Sequence, residues 1–436
     1  MAFCGRTLDG GGTSPQEWSY KRYENERICG VSESTILHRR SFLAGTAVGA
    51  VSSASSALAQ SHAGDATRPE TQALPGYAAW KDPNAFVVHS NQTLETKRGH
   101  AGSGIVTPIS RLFVRNNVNP PSDSIVADRD AWRVEIAGVA KPGILTLAEL
   151  KRIGLASVAT VLQCSGNGRK YMQDTLQPGQ KISGTPWTVG AAGCVIWSGV
   201  PLKAVIEALG GATIGMKFVT GTGGEELPAG LKVRDVIVER SVPISALDTV
   251  LLAWEMNGEM IPLAHGGPLR MIVPGYSGVN NIKYVKTVAL TPVETDAKIQ
   301  ATSYRLHGVG EKASPVQPSI WEQPLRSWIT TPLEGGRAGR RVVAGVAFGG
   351  LNAVARVDVS TDGGRTWAEA PFVGPDLGQY AWRLFALGVD LPPGTHVLAS
   401  RATDAAGTVQ PEETMPNGGG YSHNGWRGPA ISLEIA

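Results

Sequence analysis

The feature that most constrains the fold is a short apolar run that stops at a cysteine. Val158 to Leu162 reads as a buried strand, and Gln163-Cys164-Ser165-Gly166-Asn167-Gly168-Arg169 follows it. Small and polar residues after the cysteine keep the backbone compact and permit positive φ. The thiol is thus expected at a strand end with room above it. Arg169 close by favours the thiolate, the form that binds metals. A buried core cysteine explains the same pattern, so the local sequence leaves both readings open.

The rest of the chain narrows the choice of architecture. At 436 residues it is too long for one ordinary core, so two domains are expected. Hydrophobic residues make up 42% and charged ones 18%, which fits a globular protein and argues against a disordered one. The net charge of +3 comes with no basic run, which argues against nucleic acid as a partner. No P-loop, dinucleotide fingerprint or membrane-spanning apolar run is found. Cys4, Cys29, Cys164 and Cys194 form no CxxC, no CxxCH haem motif and no zinc spacing.

Near the start, His38-Arg39-Arg40-Ser41-Phe42-Leu43 precedes an Ala-, Gly-, Val- and Ser-rich stretch ending at Ala57-Leu58-Ala59. Arginine pair, apolar stretch and A-x-A site come in the order of a twin-arginine export signal behind a long leader. Residues 1–59 are therefore read as a signal and the mature chain as periplasmic. Residues 60–99 read as an extended lead-in. Cleavage would remove Cys4 and Cys29 and leave Cys164 and Cys194.

Residues 100–312 read as one mixed domain. Leu112 and Val114 alternate toward a strand ending at Arg115, in the run Phe113-Val114-Arg115-Asn116-Asn117. Trp132 to Gly138 alternates as a strand. Thr146 with Glu149 marks a capped helix start, and Val200 to Gly210 reads as an amphipathic helix ending at glycine. Leu251 to Glu259 is a strand and turn leading to His265-Gly266-Gly267-Pro268-Leu269-Arg270 and then to Asn281-Ile282-Lys283. Residues 313–436 change character. Arg341–Phe348 and Ala353–Ser360 alternate around short turns, the pattern of an antiparallel sandwich. Taken singly, Arg115 reads as a solvent-facing strand end, Trp187 as core and His265 as a packing histidine.

Together these segments resemble the sulfite oxidase family over most of the chain, from roughly Gly99 to Ala436. Leu162-Gln163-Cys164-Ser165-Gly166-Asn167 is similar to its molybdenum-ligating cysteine loop. Phe113-Val114-Arg115-Asn116-Asn117 resembles its F-x-R-N-H motif, with Asn117 where the family has histidine. The 257–285 region resembles its N-G-x-x-L-P-x-x-H-G-x-P-x-R and V-K-W motifs. Val357 to Trp367 and Ala381-Trp382-Arg383-Leu384 resemble its dimerisation domain. The resemblance implies an α+β protein: a mixed α/β sulfite-oxidase-type molybdopterin domain, then an immunoglobulin-like β-sandwich dimerisation domain. It implies a molybdenum-molybdopterin cofactor with Cys164 as metal ligand. Cofactor contacts are implied for Phe113, Val114, Arg115, Asn116, Asn117, Cys164, His265, Arg270, Asn281, Ile282 and Lys283. Catalytic or substrate roles are implied for Arg115, Arg169, Trp187 and Arg383. A buried pterin phosphate needs charged donors, and an Arg fork and a Lys point charge supply them.

One departure stands out. Val238 occupies the place of a family tyrosine that lies beside the metal, and Tyr276 or Tyr304 could fill that space in three dimensions. The expected function is molybdenum-dependent oxidation of sulfite to sulfate by a homodimer, with a separate c-type cytochrome as acceptor. The alternative is a sulfane dehydrogenase subunit oxidising carrier-bound sulfur, which Val238 favours. A reductase of the same fold and a cofactor-free binding protein on that fold are lesser alternatives.

Overall fold

A computed structural model describes residues 73–436. The export-signal reading of residues 1–59 and the opening of the lead-in fall outside the described residues. From Leu74 on, the lead-in is more than an extended strap. It makes two 3-10 turns and then a hairpin, Phe86–Ser90 against Thr93–Thr96, which accepts Val114–Arg115 as a third strand.

Two five-stranded sheets form the first domain. In one, Ala156–Gln163 pairs with Ala192–Pro201, which pairs with Leu251–Met256; Glu259–Met260 and Arg270–Ile272 both add to the last of these. Val161 and Leu162 lie in different apolar clusters, so the strand is buried on both faces, as its apolar run requires. Asn257 and Gly258 both take positive φ, the two-residue turn that joins Leu251–Met256 to Glu259–Met260. The second sheet runs Gly143–Thr146, Arg133–Ala137, Thr287–Thr291, Phe218–Thr222, Glu239–Pro243, with one parallel pairing. Val134 and Ile136 face its core while Arg133 and Glu135 face water.

Helices are short; one starts where its cap predicts, and the helix expected from Val200 starts at Leu202 because Val200 and Pro201 end the strand Ala192–Pro201. Thr146 and Glu149 make a reciprocal capping box for Leu147–Ile153. Leu202–Ala208 ends before Gly210, which is left-handed. The Pro108–Arg115 stretch differs from expectation. Ile109–Arg111 is a 3-10 turn, and only Val114–Arg115 is strand. The buried Lys81 ammonium donates to the Ile109 and Leu112 carbonyls at 2.6 and 2.9 Å, which turns them away from a ladder.

The second domain is a sandwich of two four-stranded antiparallel sheets. One runs Arg326–Thr331, Gly339–Phe348, Arg383–Leu391, Phe372–Val373; the other runs Ala368–Glu369, Val354–Ser360, Gly394–Asp404, Ile431–Ile435. Ile329, Val343 and Phe385 from the first sheet meet Val357, Leu398 and Leu433 from the second. The domains share an apolar seam in which Val161 and Cys194 pack with Trp328, Phe348 and Trp382. Burying a side chain the size of Phe348 contributes on the order of 2 kcal/mol. This seam fixes the outer face of the Cys164 strand, and therefore the height of the loop that follows it.

Candidate active site

The Cys164 strand ends at a cleft of about 670 Å³, counting its open mouth. Phe113, Arg115, Asn116, Asn117, Cys164, His265, Arg270, Asn281 and Lys283 all line it. Segments far apart in sequence thus converge as the motifs predict. Sequence reasoning did not single out Ser165, Glu225 or Val279, which line it too.

Cys164 is a free, buried thiol whose amide donates to Ala191 O at 2.9 Å. The loop after it is held from several sides. Asn167 donates to Gln163 Oε1 at 3.0 Å and to Val189 O at 3.2 Å. Arg326, from the first strand of the sandwich, donates to Gln163 Oε1 at 3.1 Å and to Asn167 O at 2.8 Å. The Cys164 loop is therefore positioned by both domains. Cys194, the other cysteine of the described residues, is also free; burial pushes its thiol up to about 11.

The far end of the cleft is cationic. Lys283 Nζ donates to Asn116 Oδ1 and, at 2.7 Å, to Ala264 O. Arg270 donates to His265 O at 2.8 Å and lies over the Trp197 ring. Burial holds the His265 imidazole well below its usual range, and Lys81, Lys283 and Arg270 press it the same way. Burial likewise holds Lys283 well below the usual lysine range and lowers Arg270 to about 10. The one carboxylate lining the cleft among the described residues is Glu225, which burial raises to about 7 while Lys283 pulls it down.

Four cleft-lining groups carry buried atoms without a partner: Asn116 Nδ2, Ser165 Oγ, Glu225 Oε2 and His265 Nε2. Buried polar atoms of native proteins are rarely left so. A phosphorylated heterocycle fits this set, because its phosphate meets the cations and its ring edge meets the amide, hydroxyl and carboxylate. Among the described residues no three His, Cys, Asp or Glu come together to hold an ion. Cys164 is the one sulfur ligand lining the cleft among the described residues, which suits a metal that brings its other ligands with it.

Five expected residues lie elsewhere. Val114 alternates away from the cleft into the cluster with Ala78, Phe86 and Leu94. Ile282 faces the core of the second sheet. Trp187 is fully buried behind Phe113, ring centroids 6.3 Å apart, and supports the wall without forming it. Arg169 folds back under Gly166, where a Cβ would meet its guanidinium at 2.3 Å. Its Nη1 donates to Thr185 O at 2.8 Å and its Nε to Gly419 O at 3.0 Å. Arg383 stays in the sandwich, paired with Asp376 at 2.7 Å and lying over Phe372. Of the two tyrosines considered for the space at Val238, Tyr304 lines the cleft beside that valine, and Tyr276 packs in the core.

Glu225 had one signal, an acid directly after the glycine pair that ends the Phe218–Thr222 strand. Lys81 and Arg326 had none, since Lys81 acts through backbone carbonyls, and Arg326 through one carbonyl and the Gln163 side-chain amide, far away in sequence.

A buried cysteine loop in a cleft lined by Arg and Lys fits the site of a molybdopterin oxidoreductase. Comparison with known proteins bears on this directly. Residues 121–299 match the oxidoreductase molybdopterin binding domain family, and residues 317–433 match the Mo-co oxidoreductase dimerisation domain family. Sulfite oxidase of Gallus gallus is 33% identical over 71% of this chain and 69% of its own length. The mitochondrial sulfite oxidase of Homo sapiens is 32% identical over 74% of this chain, which spans 60% of that protein. Among solved structures, the sulfane dehydrogenase SoxCD from Paracoccus pantotrophus superposes with a TM-score of 0.65 at 27% identity, over 80% of this chain and 89% of that one. The chain belongs to the sulfite oxidase family of molybdopterin oxidoreductases, and it uses a molybdenum cofactor.

Proposed function

We propose that this chain oxidises sulfite to sulfate in the periplasm, as a homodimer, and passes the electrons to a c-type cytochrome. The observation that carries this reading is the cleft itself, which sets Cys164 and Arg115 at one site with the buried cations Arg270 and Lys283 beyond them. The similarity to sulfite oxidases supports the substrate, the match of residues 317–433 to a dimerisation domain supports the homodimer, and the arginine pair at Arg39-Arg40 supports export.

Sulfite oxidation takes up one water oxygen and releases two protons and two electrons. The bound cofactor supplies the oxygen-transfer and two-electron chemistry. The protein supplies the rest. Cys164 would ligate the metal. His265, Arg270 and Lys283 would hold the phosphate end, with Asn116 and Glu225 on the heterocycle. Arg115, a half-buried lining residue whose guanidinium donates to Asn116 O, would attract the dianion. Phe113, Leu162 and Val238 line the cleft with apolar surface, which strengthens each charge interaction inside it.

Carrier-bound sulfur is the second reading. It is favoured by Val238 in the cleft wall and by the likeness to a sulfane dehydrogenase. The test is sulfite-dependent reduction of cytochrome c by the purified holoenzyme, with bound molybdenum quantified. Molybdenum near one per chain with sulfite turnover supports the proposal. Molybdenum without sulfite turnover moves the substrate to sulfur on a carrier protein.

A further inference from the structure

Two hydroxyl-bearing residues line the cleft among the described residues, Ser165 and Tyr304. The Tyr304 phenol makes no hydrogen bond among the described residues, although the phenol of its stacking partner does: Tyr421 OH donates to Ser303 O at 2.9 Å. Tyr304 is also held firmly. Its ring stacks on Tyr421 with centroids 5.0 Å apart and planes at 24°. The Arg240 guanidinium lies 5.7 Å from its centroid, and its carbonyl accepts from Ile320 N at 2.9 Å.

The stacking partner comes from the second domain, on a loop braced against the Cys164 loop. Asn417 Oδ1 accepts from Tyr421 N and Asn417 Nδ2 donates to Tyr421 O, each at 2.9 Å. Ser422 N donates to Ser165 O at 2.9 Å. Arg169, which donates to Gly419 O on this loop, lies 5.5 Å from the Tyr421 ring. The Ser422–Ser165 bond therefore places the tyrosine pair beside the Cys164 loop.

We infer that Tyr304 is a substrate-binding residue whose hydroxyl donates to the sulfur oxyanion, and that Tyr421 of the second domain positions it. This rests on the sulfur-oxyanion reading given above. A rigid, uncommitted donor in the cleft that Arg115 also lines adds a directed hydrogen bond to the attraction of the charge. Because Tyr421 is braced against the Cys164 loop through the Ser422–Ser165 bond, the sandwich domain sets the distance between metal ligand and donor.

The test uses the holoenzyme with Tyr304→Phe, Tyr421→Ala and Tyr421→Phe. Two quantities are read: KM for sulfite, and sulfate affinity by titration calorimetry on the resting enzyme. Tyr304→Phe is expected to weaken both by roughly tenfold or more, the loss typical of a hydrogen bond to a charged group. Its kcat should change less, and its melting temperature should stay within about a degree of the parent's. Tyr421→Ala should weaken both as well, and Tyr421→Phe, which keeps the stack, should restore most of the loss. Values for Tyr304→Phe within about twofold of the parent overturn the inference while leaving sulfite oxidation standing. If the parent does not turn over sulfite, the sulfite reading falls, and sulfate affinity alone then decides the role of Tyr304. A parent enzyme that binds no sulfate overturns the inference outright.

Discussion

Arg326, on the first strand of the second domain, donates to the carbonyl of Asn167 at 2.8 Å, three residues beyond the candidate metal ligand. Its Nε and Nη2 have no partner although the side chain is 1% exposed. Two opposed effects follow for Arg326→Met. Asn167 O loses its bond, which costs about 1–3 kcal/mol. Burial of a guanidinium with unbonded nitrogens is relieved, which offsets that cost. Stability by chemical denaturation should therefore change by no more than about 1 kcal/mol. The loop should loosen nonetheless, so Cys164 in the apoprotein should alkylate with iodoacetamide several-fold faster than in the parent. An unchanged alkylation rate would show that Arg326 does not position the loop.

Cys164 and Cys194 separate ligand chemistry from packing. Both are buried and free, but Cys164 lines the cleft whereas Cys194 lies in the domain seam. Changing a neighbour of a metal ligand already costs ~10–100-fold in affinity. Cys164→Ser should lower molybdenum per chain by at least that factor while the apoprotein stays folded. Cys194→Ser should keep its molybdenum and lose about 1 kcal/mol of stability from poorer packing. Mass-spectrometric metal analysis on both variants decides, and equal molybdenum in the two would remove Cys164 as the ligand.

Much of this site was legible because its chemistry is written in short contiguous motifs. The Val158–Leu162 run, the Cys164 loop and the 265–285 segment each carry their residues on one stretch, and strand pairing brings them together. Alternation also separated the sandwich from the first domain. What failed were side-chain directions. Val114 and Ile282 sit inside motifs whose backbones pass the cleft, but pleating turns them to the core. Arg169 and Arg383 were expected to meet substrate on the strength of charge, yet carbonyls hold one and Asp376 holds the other. Lys81 and Arg326 were invisible, because a long-range bond from a side chain to a backbone carbonyl leaves no periodicity in sequence. Trp187 was placed at the site, but it lies one layer deeper, behind Phe113.

Glu225 gives the apoprotein a titration that can be followed. Its carboxyl is raised from 4.5 to about 7 by burial. A raised carboxyl binds a proton more readily in the folded state, so stability falls as pH rises from about 4.5 to about 7 and the penalty persists above that. The shift corresponds to roughly 3 kcal/mol at most. Glu225→Gln should match the parent near pH 4.5 and exceed it above pH 7 in urea denaturation of the apoproteins. Identical curves across this window would mean that the carboxylate is already solvated.

Lys283 and His265 act in the opposite sense, and an anion should reverse their effect. Both have folded-state pKa values below their ordinary ones through burial. The unfolded chain therefore binds more protons, and apoprotein stability should fall as pH drops below the unfolded lysine value of 10.5, with a further loss below the unfolded histidine value of 6.5. Inorganic phosphate in the cleft favours the protonated forms. At a fixed concentration a hundredfold above its Kd at pH 6 it should stabilise the apoprotein by about 2.7 kcal/mol at that pH, and by less at pH 9. Lys283→Met removes one buried ammonium, so its apoprotein should lose less stability on acidification and respond less to phosphate. Thermal melts at the two pH values, with and without phosphate, provide the check. A phosphate effect that is equal at both pH values, or unchanged in Lys283→Met, would mean that the buried cations do not form the anion site.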